Sequence, residues 1–143
     1  MFQKIKIGGA CLLVLFILCP AFASMSGLSV GGFSGTLPPP QLVSPTSDSV
    51  NLTGKDTLEF KWIGIDAVMV DHYEFKLYKG YQTLASTLIL KAKVSRDEAS
   101  FKVDSEKFSD TNVYTWVLKQ ISISGRKSDP GFSSFTIIKK AAQ

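Results

Sequence analysis

The chain has 143 residues, 45% of them hydrophobic, with 16 Lys and Arg against 12 Asp and Glu. That length suggests about one domain, and the composition is that of an ordinary globular protein. The small positive charge is no electrostatic footprint for nucleic acid, because Lys and Arg are scattered among acids along the sequence.

The N-terminus reads as a secretory signal peptide over Met1–Ala23. Lys4 and Lys6 form its basic start, Ala10–Leu18 its apolar run, and Ala21-Phe22-Ala23 its small-residue cleavage signature, leaving Ser24 first. A spanning helix needs about 20 apolar residues, and Pro20 ends this run early, so no stable membrane insertion is expected after cleavage. Leu18-Cys19-Pro20 lacks the small residue that precedes a lipid-modified cysteine. Cys11 and Cys19 both fall inside the leader, so the exported chain carries no cysteine and rests on its hydrophobic core alone. Loss of Lys4 and Lys6 leaves 14 basic against 12 acidic residues, a net charge of +2.

Residues 24–40 read as a linker. Ser24–Thr36 is rich in Ser and Gly and buries too little to offset its ordering entropy, and Pro38-Pro39-Pro40 reads as a short stiff spacer. A first strand is expected over Gln41–Ser44, stopped by Pro45, followed by a turn region over Thr46–Gly54. Strict alternation in Leu58-Glu59-Phe60-Lys61-Trp62 predicts a strand over Thr57–Trp62 with one dry face. Further strands are expected over His72–Lys79, Thr87–Val94, Ser100–Val103, Val113–Ile123 and Phe132–Ile138. Short alternating strands at regular spacing, without a convincing helix, predict an all-β sandwich of seven antiparallel strands over residues 41–140.

Several residues then line up with a known pattern. A Pro-rich entry and Ser44-Pro45 precede a strand that ends in Trp62. Tyr73 opens the next strand, and Phe108 lies six positions before Tyr114. In these features the chain resembles a fibronectin type III or related immunoglobulin-like domain. The resemblance implies a seven-stranded sandwich with Trp62 and Tyr114 buried from opposite sheets, Tyr114 being the tyrosine of a corner. The Pro-Gly pair common before that tyrosine is replaced by Asp110 and Thr111, and Gly80–Ser100 is longer than a compact module needs, leaving strand order there open. The fold hosts many functions.

Candidate chemistry is sparse. His72, the single histidine, sits beside Asp71, but no nucleophile motif accompanies it, so no catalytic residue is assigned. Absence of Cys and of a second His from the exported chain excludes the usual zinc sites, the acid clusters lack calcium-loop spacing, and no cofactor is expected. Two binding surfaces are foreseen. Val68, Met69 and Val70 form an unusually apolar loop that, beside Arg126 and Lys127, would make a protein contact patch; the competing reading folds that loop onto the core. Tyr78 and Tyr81 are expected at an exposed edge, where they would stack on sugar rings. The reading is therefore of a non-enzymatic, secreted or cell-envelope module for protein binding or extracellular structure, with a carbohydrate-binding or enzyme-accessory role as the alternative.

Overall fold

The computed structural model of the protein describes residues 37–46, 49–65, 69–109 and 111–139. The leader reading, with Ala21, Ala23 and Ser24, the Ser/Gly-rich stretch to Thr36, and Val68 lie outside these residues.

Alternation organises the first sheet. In β3 (Thr57–Ile63), Leu58, Phe60 and Trp62 are buried while Thr57, Lys61 and Ile63 face out. β3 is the middle strand of three, flanked antiparallel by β1 (Gln41–Ser44) and β6 (Ser100–Asp104). The second sheet has five strands. β4 (Val70–Lys79) and β7 (Val113–Ser122) form its centre, β5 (Leu88–Ser95) pairs with β4, and β8 (Gly131–Ile138) pairs with β7. The last member, β2 (Ser49–Asn51), lies parallel to β8, from Ser49 opposite Thr136 to Asn51 opposite Ile138.

Among the described residues the count is thus eight strands rather than seven. The additional strand is β2, inside the segment expected to be a turn, and its parallel pairing departs from the all-antiparallel expectation. Three residues are too few for alternation to show. The open strand order after Gly80 also resolves. A 3-10 turn at Ala85–Thr87 leads into β5 on the five-stranded sheet, and the chain crosses at Arg96–Ala99 to β6 on the other.

Inward side chains of both sheets meet in a largely aromatic core. Phe60 lies at its centre, with ring centroids 5.0 Å from Phe75, 5.1 Å from Trp116, 5.8 Å from Phe135 and 6.5 Å from Phe108. Three of these contacts are edge-to-face, the geometry that ring quadrupoles favour. Trp116 also donates from its indole N–H to the Pro45 carbonyl at 2.8 Å. Tyr114 packs edge-on against Phe108 at 5.0 Å, and its hydroxyl accepts the Ser109 backbone N–H at 2.6 Å.

At one end of the core Trp62 packs edge-to-face on Tyr73, centroids 5.4 Å apart. Burial pushes the Tyr73 hydroxyl above its ordinary pKa; the Trp62 indole opposes this weakly without making a hydrogen bond of good geometry. Gly64 passes directly over that hydroxyl. A Cβ there would sit 1.9 Å from the Tyr73 oxygen and 3.0 Å from its Cζ. Gly64→Ala is therefore expected to cost about 1–3 kcal/mol by overpacking, and Tyr73→Phe in the same chain should recover part of it. Urea unfolding of the two single variants and the double variant checks this; an unchanged midpoint for Gly64→Ala would rule out the close approach.

The triproline segment does not stand off the domain as a spacer. Leu37 bridges to Ser128 and its carbonyl accepts the Asp129 N–H at 3.3 Å. Gln120, fully buried on β7, donates its amide to the Pro38 carbonyl at 2.7 Å, and Pro40 is buried. Proline lacks an N–H but keeps a carbonyl that can accept, and a buried amide needs such a partner.

Candidate binding surface

The outer face of the five-stranded sheet carries a groove of about 580 Å³. Its floor is built by register. Lys76 of β4, Val117 of β7 and Phe132 of β8 lie side by side; in the next row lie Tyr78, Thr115 and Ser134. Gly80, at a φ of +84° that side chains rarely tolerate, turns the chain at the end of β4. Tyr81 follows at once and joins the groove wall. The loop behind it is tied by Thr87, whose hydroxyl lies 2.8 and 3.0 Å from the Gln82 and Leu84 carbonyls with one hydrogen to share between them. Pro130 and Phe132 line the opposite side.

Two rings dominate this surface: Tyr81 is 74% exposed and Phe132 71%. Tyr78 departs from expectation. It points to the outer face but is only 7% exposed, because it lies in the floor beneath the groove rather than at a free edge. Phe132 was not foreseen as a surface residue, although the signal was present. It is out of phase with the buried Phe135 and Ile137 of the same strand.

The polar groups divide into engaged and unengaged. Thr115 donates its hydroxyl to the Gly80 carbonyl at 2.7 Å, so the Ser134 hydroxyl, also 2.7 Å away, donates to Thr115. Glu74 is held by Lys127 at 3.8 Å. Lys76 and Lys119 are half-buried at the groove, and among the described residues neither has an ion-pair partner. Lys76 also stands directly opposite Lys91 of β5, a like-charge pair that weakens a sheet. The pairing of β4, β5 and β7 thus brings Lys76, Lys91, Lys93 and Lys119, scattered in sequence, onto neighbouring strands of one sheet, with Glu74 between Lys93 and Lys119.

No family model and no curated protein matches the chain. Solved structures do. The third fibronectin III domain of the human KIAA0343 protein matches with a TM-score of 0.51 at 12% identity, over 82% of this chain and 95% of that one. The FN1–FN3 domains of chicken CNTN1 match with a TM-score of 0.51 at 15% identity, over 74% of this chain and 33% of that one. A computationally redesigned β-sandwich protein gives 0.51 at 13% identity, over 73% and 98%. The fold is fibronectin type III-like. Such identities speak for fold alone. Within the fibronectin type III-like sandwich, Trp62 and Tyr114 are buried from opposite sheets, as the resemblance implies, and the Ser109 N–H bound by the Tyr114 hydroxyl makes the tyrosine corner.

The apolar loop end divides. Val70, expected in a contact patch, is 1% exposed as the first residue of β4 and belongs to the core, where β4 packs across the sandwich. Met69, one residue earlier, is 49% exposed, and its carbonyl accepts the N–H of the exposed Ile123 at 3.3 Å. Arg126 and Lys127 are exposed but do not act as a pair. Arg126 closes a turn with Ser122, whose N–H donates to the Arg126 carbonyl at 2.8 Å, while Lys127 reaches Glu74 on the sheet face. His72 contacts Asp71 at 2.6 Å, which holds the Asp71 carboxyl below its ordinary range, helped by Lys93 at 3.7 Å. This is an exposed ion cluster, and among the described residues no group of acids, His and Cys could hold a metal ion.

Proposed function

We propose that the protein is a non-enzymatic, exported binding module that holds a protein partner in the groove of its five-stranded sheet. Export rests on the signal-peptide reading of Met1–Ala23. The observation that carries binding is the concave surface with Tyr81 and Phe132 exposed over an apolar floor of Tyr78 and Val117. Large rings left in water on a concave face are the usual anchors of protein interfaces, and lysines around an apolar centre make a suitable rim. The carbohydrate alternative draws on the same Tyr81 ring, but the floor hydroxyls of Thr115 and Ser134 have their hydrogens engaged within the protein and could only accept from a sugar.

The double variant Tyr81→Ala and Phe132→Ala is expected to keep its thermal midpoint within a few degrees, since both rings are mainly exposed. It should lose capture of the partner that the unaltered protein retains from its native host. Retention of the same partner by the variant would remove the groove from consideration, and loss of a glycan instead of a protein on an array would favour the sugar reading.

A further inference from the structure

We infer that the partner presents an acidic segment interspersed with apolar side chains. This rests on the groove being the binding surface and adds the chemistry of what it takes. Once internal pairings are set aside, the apolar rings remain unmatched, and so does an excess of lysine: Lys76 has Lys91 rather than an acid opposite it, while Glu74 meets Lys127 at 3.8 Å and also stands between Lys93 and Lys119 of the flanking strands. Lys76 and Lys119 are half-buried, as long side chains are that lay their stems on apolar surface and keep the charged head toward water. The Lys76–Lys91 pair adds repulsion across β4 and β5 that a carboxylate laid over it would relieve. A second copy of this chain would bring lysine to lysine on the same face. An acidic glycan would meet the lysines, but the floor hydroxyls of Thr115 and Ser134 have no free hydrogen to donate to it. A protein segment alternating carboxylates with leucine or phenylalanine satisfies both surfaces.

The test is an NMR titration of the isotope-labelled exported chain with a peptide alternating glutamate and leucine. Shift changes are expected on β4, β7 and β8. Affinity should fall by about tenfold between about 0.05 and 0.5 M salt, as screening shortens from more than 10 Å to only a few ångströms. Lys76→Gln with Lys119→Gln should weaken binding by about tenfold while leaving the thermal midpoint in place or raising it, since the Lys76–Lys91 repulsion goes with the charge. Equal affinity for the glutamine-for-glutamate peptide would overturn the acidic assignment and leave the groove standing. Tighter binding of polygalacturonate at the same resonances would overturn it in favour of a glycan. Shift changes confined to the three-stranded sheet or to the Met69–Ile123 end would overturn it as well. The groove itself fails separately, if the Tyr81→Ala and Phe132→Ala variant still captures its partner.

Discussion

Phe60→Ala should leave little folded protein. The side chain is fully buried and touches rings supplied by β4, β7, β8 and the segment before β7, so its removal opens a cavity that no single neighbour can fill. Truncating a buried phenylalanine costs about 3–5 kcal/mol, against a total of about 5–15 kcal/mol for a domain of this kind. At about 4–8 °C per kcal/mol the thermal midpoint would fall by more than about 12 °C. Calorimetry or circular dichroism decides it. A shift of only a few degrees would mean that the two sheets do not meet at Phe60.

Val70→Asp and Met69→Asp should behave oppositely although the residues are adjacent. At Val70 a carboxylate would be buried opposite Ser122 with no cation beside it in the core, a loss of about 3–5 kcal/mol. At Met69 the new charge would sit largely in water, and the change should stay within about 0.5 kcal/mol. Urea midpoints of the two variants provide the comparison. Similar losses would place Met69 in the core too; two small effects would place Val70 at the surface.

The pair shows what sequence could and could not convey. Every strand but β2 was expected to within two residues of where it lies, and Phe60, Trp62, Tyr73 and Trp116 fell inside as expected, although β7 is buried on both faces rather than one. Val70 is out of phase with Tyr73, Phe75 and Leu77 and is buried only across the register shift between Val70 and His72, and since it follows an apolar loop it was assigned with it. β2 was missed because its pairing with β8 is parallel, remote in sequence and three residues long. The groove was half legible. Tyr78 and Tyr81 stood out by type, whereas Phe132 and the lysine cluster depend on which strands become neighbours. Lys76 and Lys91 are fifteen positions apart in sequence and opposite each other only once β5 folds against β4. Likewise, nothing in three consecutive prolines announces that Gln120, eighty-two positions from Pro38, will need a carbonyl.

Both tryptophans of the chain, Trp62 and Trp116, lie in the interior, and neither lines the groove. Intrinsic emission should therefore be blue-shifted in the native protein and report cooperative unfolding alone, staying silent while the outer face is occupied. A Phe132→Trp substitution would place a third indole in solvent at that face. Its quenching by a docked partner would give an optical titration against a background of two shielded, unresponsive fluorophores.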